Sequence, residues 1–193
     1  MDEIILVGAG GHARSCIDVI EQHGGFTVAG LVKDAGLINE NVLGYPIVGS
    51  DNDLPLLHAK YKFALVSIGQ IKSPSSRIGM YHRLKEIGYI LPTIISPKAY
   101  VSRHANIGEG TIIMHGAIVN ASAVIGKNCI LNSGALIEHD AVVGDHCHIS
   151  TGAIVNGEVK IDKESFIGSG TVTRQSISIG EKSVIGAGLF VKS

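Results

Sequence analysis

Polar side chains are concentrated between residues 130 and 152 of the sequence. This segment contains six residues with acid, base or amide chemistry: Asn132, Glu138, His139, Asp140, His146 and His148. Among them, His139 stands between two carboxylic acids. An imidazole titrates near neutral pH, and a carboxylate bonded to one ring nitrogen leaves the other nitrogen as a base. The segment therefore indicates general-base catalysis by His139, oriented by Asp140 or Glu138.

A second candidate site lies near the N-terminus. Residues 4–7 are apolar and, with Glu3, predict a buried strand at residues 3–7. This strand runs into the Gly8-x-Gly10-x-x-Ala13 spacing at the start of a helix. This spacing fits the G/A form of the dinucleotide fingerprint, and Asp34 is then a candidate ribose contact. Backbone N–H groups at such a turn bind phosphate. We expect a nucleotide-sugar phosphate site here; NAD binding and a turn without a ligand are the alternatives.

Residues 1–92 alternate between strands and helices. Strands are predicted at residues 3–7, 26–32 and 63–68, with a short strand or turn at 44–49. Helices are predicted at residues 12–23, 51–59 and 74–87. This alternation is typical of a parallel sheet. The segment has about half the length of a full dinucleotide-binding fold, which argues against NAD.

From Ile95 the sequence repeats every six residues. Of the sixteen positions that follow from Ile95 to Ile185 at this spacing, fifteen are branched aliphatics and one is Thr173. A mostly small residue follows each of them by four positions. The repeat predicts a parallel β-helix with three faces, eighteen residues per coil and about five coils. Residues eighteen apart are then stacked, so His139 lies between Ala121 and Gly157.

The same stacking places Cys129 and Cys147 next to each other in the interior, where we expect packing without a redox role. Three scattered cysteines fit a reducing cytoplasm. The net charge of −1 gives no reason to expect nucleic acid or a membrane surface as partner. No apolar run reaches the ~18 residues of a membrane span, and no signal peptide is expected at the N-terminus.

Three features together resemble the NeuD/PglD family of sugar acyltransferases: the hexapeptide array, the Ile-Glu-His-Asp segment at 137–140, and the Gly-Ala-Gly-Gly-His-Ala segment at 8–13. The resemblance covers essentially the whole chain. It implies a Rossmann-like α/β nucleotide-binding domain at residues 1–92 and a left-handed parallel β-helix at residues 93–193. It also implies a homotrimer that binds acetyl-CoA in clefts between neighbouring β-helices.

The resemblance also assigns site residues. It implies that His139 and Asp140 form the catalytic base, with Glu138 lining the same site. It implies an acetyl-CoA-binding group made of Asn132, His148 and Gly157, with His148 near the thioester. The implied sugar-nucleotide-binding group consists of Gly8, Gly10, Gly11, His12, Asp34, Ser67 and Gly69. No metal is expected.

The leading functional interpretation is N-acetylation of a nucleotide-linked amino sugar, such as a UDP-linked 4-amino sugar, in bacterial glycan biosynthesis. O-acetylation of a sialic-acid-like sugar is a second possibility, because the same base serves a hydroxyl. A zinc enzyme like the gamma-type carbonic anhydrases is a remote alternative that would use His115, His139, His146 and His148. The spacings do not reproduce that family's ligand pattern. A binding protein without catalysis is the last alternative.

Overall fold

The computed structural model describes residues 1–33, 41–70 and 73–193 of the chain. Asp34 therefore lies outside the described residues. The chain forms two compact units. The first unit comprises Met1–Gly69 and Ser75–Pro92, and the second comprises Gln70–Pro74 and Thr93–Ser193.

The first unit is an α/β fold around a five-stranded sheet. Its strands are β1 (Asp2–Val7), β2 (Phe26–Val32), β3 (Asn41–Val42), β4 (Tyr45–Gly49) and β5 (Phe63–Val66). Its helices are α1 (Gly11–His23), α2 (Leu54–Lys60, preceded by a 3₁₀ turn at Asp51–Asp53) and α3 (Ser75–Ile87). The strand order is β3-β4-β2-β1-β5. The predicted helices and main strands are present, with ends shifted by a few residues.

The predicted parallel sheet carries one antiparallel strand at its edge, which was not predicted from the sequence. β1, β2, β4 and β5 are parallel, but β3 pairs with β4 antiparallel. The two strands are joined by Leu43 and Gly44, whose φ angles are 51° and 88°. Two consecutive positive φ angles are characteristic of the type I′ turn that closes a two-residue hairpin. The hairpin was not predicted from the sequence because leucine is unusual in such a turn.

The second unit is a three-sided parallel β-helix of two-residue strands. Face 1 contains β6 (Ile94–Ile95), β9 (Ile112–Ile113), β12 (Ile130–Leu131), β15 (His148–Ile149), β18 (Phe166–Ile167) and β21 (Val184–Ile185). Face 2 contains β7 (Tyr100–Val101), β10 (Ile118–Val119), β13 (Leu136–Ile137), β16 (Ile154–Val155), β19 (Val172–Thr173) and β22 (Phe190–Val191). Face 3 contains β8 (Asn106–Ile107), β11 (Val124–Ile125), β14 (Val142–Val143), β17 (Lys160–Ile161) and β20 (Ser178–Ile179).

The interior of the β-helix is built from the two predicted columns of side chains. The aliphatic positions from Ile113 to Ile167 are 0–2% exposed, and so are the small residues four positions after them. Cys129 and Cys147 are buried in this interior, and each thiol donates to a backbone carbonyl 3.2 Å away. β22 adds a seventeenth strand to the sixteen predicted positions, which makes almost six coils.

Some turns leave no room for a side chain, because each coil lies directly on the next. A Cβ atom at Gly144 would lie 2.6 Å from the backbone nitrogen of Lys163 in the following coil. Gly180 has the same position in its repeat two coils later, and nothing lies within 4 Å of a Cβ added there. Neither glycine has a positive φ. The two glycines therefore differ only in whether a coil is stacked on them.

We expect Gly144→Ala to lower the free energy of unfolding by about 1–3 kcal/mol, because the methyl group must push two coils apart. Gly180→Ala is the matched control and should change the free energy of unfolding by much less. Urea unfolding followed by circular dichroism measures both. Equal effects of the two substitutions would contradict the stacking described here.

Candidate active site

His139 and Asp140 lie in the turn between β13 and β14, at the corner where faces 2 and 3 meet. Asp140 has a φ of 59°, the left-handed conformation that Asp and Asn adopt more easily than most residues. The turn directs both side chains outward, and each is about half exposed (54% and 55%). A rigid coil thus presents the imidazole to solvent beside a carboxylate.

The imidazole of His139 is oriented by Asp140. Its Nδ1–H donates to Oδ2 of Asp140 at 2.9 Å. This hydrogen bond is the main cause of a raised pKa of His139. Desolvation opposes it, and the charges of Asp140, Glu138 and Glu158 add to it. With the proton held on Nδ1, the Nε2 lone pair is available, and within the described part of the chain Nε2 has no hydrogen-bond partner. Nε2 can therefore accept a proton.

The absence of a side chain at Gly157 makes room for the His139 ring. A Cβ atom added to Gly157 would lie 2.9 Å from both Nε2 and Cε1 of His139. The two residues are in adjacent coils, since the N–H of Glu158 donates to the carbonyl of His139 at 3.1 Å. Gly157 thus touches the imidazole directly, in the stack expected from the repeat.

Glu138 does not hold the imidazole. Its Oε2 accepts hydrogen bonds from Nδ2 of Asn120 at 2.9 Å and from the backbone N–H of His139 at 3.3 Å. Asn120 lies eighteen residues earlier, in the coil below. Of the two carboxylates that the sequence offered as orienting groups, the geometry therefore selects Asp140, while Glu138 braces the turn.

Asn132 and His148 lie elsewhere on the same β-helix. His148 is on face 1, which is opposite the corner that carries His139, and Asn132 is at the other end of face 2. Nδ1–H of His148 donates to the carbonyl of Gln70 at 2.7 Å, and its Nε2 accepts from Nδ2 of Asn132 at 3.3 Å. The ring is therefore a neutral imidazole, only 7% exposed. One chain does not bring these two residues to His139.

The four histidines of the zinc alternative are also separated. His115, His139 and His146 occupy three different corners, and His148 lies on a face. His115 contacts Ser96, and His146 contacts Asn128. Among the described residues, no group of three or more His, Cys, Asp or Glu side chains is placed to hold a metal ion.

In the first unit, the glycine-rich turn joins β1 to α1. Gly8 has a φ of 113°, and a Cβ atom there would lie 2.8 Å from the side chain of Ile68 after β5. Ser67 fastens the two segments, because its Oγ donates to the carbonyl of Gly8 at 2.7 Å. Nothing lies within 4 Å of a Cβ added at Gly10 or Gly11. The start of α1, where backbone N–H groups lack helical partners, is therefore open.

This turn lines a cavity of about 890 Å³. The cavity brings together six of the seven predicted sugar-nucleotide residues: Gly8, Gly10, Gly11, His12, Ser67 and Gly69. Asp34, the seventh, lies outside the described residues. The cavity therefore unites separate segments of the sequence that follow β1 and β5.

Sequence reasoning missed the basic residues of this cavity, Lys33 and Arg83. Arg77, in the first turn of the same helix α3, is 1% exposed and does not line the cavity. The cavity face of α3 carries Ser76, Gly79, Met80 and Arg83. Their helical spacing of three, four and seven residues was the signal that could have found Arg83. Within the described residues the guanidinium of Arg83 makes no hydrogen bond or ion pair.

Three family models match the chain. Residues 3–84 match the PglD N-terminal domain. Residues 104–139 match the bacterial transferase hexapeptide (six repeats), and residues 158–193 match the hexapeptide repeat of succinyl-transferase. No curated protein sequence matches the chain.

Solved structures resemble the chain over its full length. A histidine mutant of perosamine N-acetyltransferase from Caulobacter crescentus, in complex with CoA and GDP-perosamine, is 32% identical with a TM-score of 0.92, and the match covers 100% of this chain and 89% of that one. This chain belongs to the NeuD/PglD family of sugar acyltransferases. The acetyltransferase domain of PglB from Neisseria gonorrhoeae is 29% identical with a TM-score of 0.87, covering 100% of this chain and 92% of that domain. WeeI from Acinetobacter baumannii shares the fold at 21% identity, a TM-score of 0.74 and coverage of 100% and 97%.

Membership of the NeuD/PglD family confirms two expectations from the sequence. The second unit is a left-handed β-helix following a Rossmann-like domain. The protein is an acyl-CoA-dependent acetyltransferase that acts on a sugar. Across the described ranges, none of the helices has the length and apolar character needed to cross a membrane.

We expect Asp140→Asn to lower the pKa of His139, because the substitution removes the charge that favours the imidazolium form. Asparagine also tolerates the left-handed φ, so the turn is kept. NMR titration of the imidazole measures the pKa, with the His139 resonance identified by its loss in His139→Gln. Asp162→Asn, at an exposed position of another corner, should leave the titration unchanged. A pKa unaltered in Asp140→Asn would show that the carboxylate does not act on the ring.

Proposed function

We propose that the protein transfers the acetyl group of acetyl-CoA to the amine of a nucleotide-linked amino sugar, with His139 as general base. The observation that carries the proposal is the 2.9 Å hydrogen bond between Nδ1 of His139 and Asp140, which leaves Nε2 exposed as the base. It is supported by the likeness to perosamine N-acetyltransferase, whose structure contains CoA and GDP-perosamine. The acetyl donor follows from the family and from the acetyl coenzyme A complex of PglB.

The reaction needs one base and no covalent intermediate on the protein. The neutral amine of the sugar attacks the carbonyl carbon of the thioester while Nε2 of His139 takes the proton that the nitrogen loses. The C–S bond then breaks, and the imidazolium returns the proton to the departing CoA thiolate. Asp140 stabilises the imidazolium formed between these steps. Cys147 is no alternative nucleophile, because it is 0% exposed in the interior of the β-helix.

The cavity of the first unit is suited to the nucleotide part of the acceptor. The N–H groups at the start of α1 and the guanidinium of Arg83 offer hydrogen bonds and positive charge to a diphosphate. Gly10 and Gly11 allow a phosphate to approach the backbone because they have no side chains in the way. A second mononucleotide-binding half, which NAD would need, does not follow in the β-helix.

O-acetylation of a sialic-acid-like sugar is a less favoured function of the same site. His139 could deprotonate a hydroxyl as well as an amine. The full-length likeness is to a protein named as an N-acetyltransferase of perosamine, which favours an amino sugar as the acceptor. Comparing CoA release with a nucleotide-linked amino sugar and with a sialic acid distinguishes the two.

We also propose that the active form is a homotrimer. The outward position of every strand on face 2 is apolar: Tyr100, Ile118, Leu136, Ile154, Val172 and Phe190. Tyr100 and Phe190 are 60% and 58% exposed, and Ile118 is 39% exposed. An apolar ladder of this length on a surface is typical of a subunit interface. A neighbour packed on face 2 adds residues next to the corner that carries His139.

The corner between faces 1 and 2 is open to a close approach. Five glycines occupy its left-handed turn positions with φ of 64–69°: Gly116, Gly134, Gly152, Gly170 and Gly188. The corner of His139 adopts the same conformation with side chains, as at Asp140 and Glu158. The backbone angle alone therefore does not demand glycine. A bare corner leaves room for the pantetheine arm of acetyl-CoA between neighbouring copies, where Asn132 would then meet the His139 of another chain.

We expect His139→Ala to lower kcat for acetyl transfer to a nucleotide-linked amino sugar by about 10²–10⁴-fold, since the substitution removes the general base. CoA release with a thiol reagent measures the rate. His104→Ala, which removes another exposed histidine of the β-helix, should retain the wild-type rate.

Light scattering should show the same oligomer for both variants and the wild type, because His139 is not one of the apolar outward residues of face 2. It thereby controls for loss of assembly. An unchanged kcat in His139→Ala would remove this residue from the mechanism.

A further inference from the structure

A second, smaller cavity lies beside the reactive imidazole. Its volume is about 410 Å³, and it is lined by Asp140, Glu158, Lys160, Ser176 and Ser178. It shares Asp140 with the catalytic pair, and the carboxylate of Asp140 is bonded to the His139 ring. The mechanism described above uses none of the other four residues.

Two columns of the β-helix form the walls of this cavity. Asp140, Glu158 and Ser176 follow one another at eighteen-residue spacing in the turns at the corner of faces 2 and 3, with φ of 58–60°. Lys160 and Ser178 are stacked on face 3. Below Lys160 the outward side chain of face 3 is Val142, so the outward column of this face changes from apolar to polar one coil above the catalytic turn.

The wall residues differ in how they are held. Oγ of Ser176 donates to Oε2 of Glu158 at 2.7 Å, which fixes that carboxylate in the cavity. The ammonium group of Lys160 makes no hydrogen bond or ion pair within the described residues. The cavity thus offers a fixed acceptor, a free cation and a hydroxyl at Ser178.

The carboxylate, ammonium and hydroxyl groups of the lining together indicate which kind of ligand the cavity can bind. Phosphate or another polyanion would be repelled by Asp140 and Glu158, and a single Lys160 does not outweigh them. A simple cation would be repelled by Lys160. Sugar hydroxyls suit the lining, because each can donate to a carboxylate and accept from an ammonium or a hydroxyl group.

We propose that this cavity holds the ring hydroxyls of the acceptor sugar, with Lys160 and Glu158 as the residues that determine which sugar is accepted. The inference rests on the proposed function and adds the part of the site that recognises the sugar. A ring hydroxyl next to the reacting amine would donate to Glu158 and accept from Lys160. These hydrogen bonds would hold the sugar with its amine toward Nε2 of His139. Holding the reacting groups in this orientation speeds the transfer.

The test compares Lys160→Met and Glu158→Gln with the wild type, using GDP-perosamine or a UDP-linked 4-amino sugar, whichever the wild type acetylates faster. We expect the KM for the sugar nucleotide to rise about tenfold or more in each variant, as for loss of a hydrogen bond to a charged group. The KM for acetyl-CoA should stay the same. With an analogue that lacks the hydroxyl next to the amine, wild type and Lys160→Met should become equal.

Lys163→Met is the matched control, because Lys163 is an exposed lysine of the same β-helix whose partner, Glu181, is 3.7 Å away at another corner. It should leave both KM values unchanged. A raised KM for acetyl-CoA alone would assign the cavity to CoA and overturn the inference. Unchanged KM values in Lys160→Met and Glu158→Gln, with active wild type, would overturn it while leaving the proposed function intact. A wild type inactive on every amino sugar nucleotide would overturn both.

Discussion

Hydrogen bonds between successive coils hold each residue of the β-helix over the residue eighteen positions earlier. For example, the backbone N–H of Asn132 donates to the carbonyl of Ile149 in the next coil at 2.9 Å. The spacing between coils is that of neighbouring strands, about 4.8 Å, so the side chain at any outward position is limited by the residues above and below it. His139 is placed by this constraint: Gly157 leaves space for the ring. The stacking of the coils therefore fixes the position of the imidazole, and Asp140 fixes its orientation.

The corners and the faces of the β-helix carry different kinds of residues. The corners contain left-handed turn residues. His139 and Asp140 lie at the corner of faces 2 and 3, and a column of glycines lies at the corner of faces 1 and 2. The outward positions of face 2 are apolar along its whole length, whereas those of face 3 include the polar residues Asn106, Lys160 and Ser178. A single chain keeps Asn132 and His148 away from His139, so a site that uses all three requires another copy.

The period of six made most of the second unit predictable. Because its phase never shifts, the sequence alone located the interior columns, the Cys129 and Cys147 neighbours and the contact of His139 with Gly157. The family resemblance implied Asp140, but the residues alone left the choice between Asp140 and Glu138 open. That choice depends on Asn120, one coil below, whose side-chain amide donates to Glu138. The β3–β4 hairpin was not predicted because Leu43 occupies a turn position that usually carries Gly, Asn or Asp. Arg83 was not predicted as a cavity residue, although its spacing of seven residues from Ser76 on α3 puts the two on one helix face.

The proposed mechanism requires that Nε2 of His139 receives the proton of the acceptor amine. A crystal structure with CoA and a nucleotide-linked 4-amino sugar would show whether the amine reaches this nitrogen. We expect the amine nitrogen to lie about 2.6–3.2 Å from Nε2, within hydrogen-bond reach, while Nδ1 remains bonded to Asp140. An amine bound beside another side chain, with His139 facing solvent alone, would contradict it.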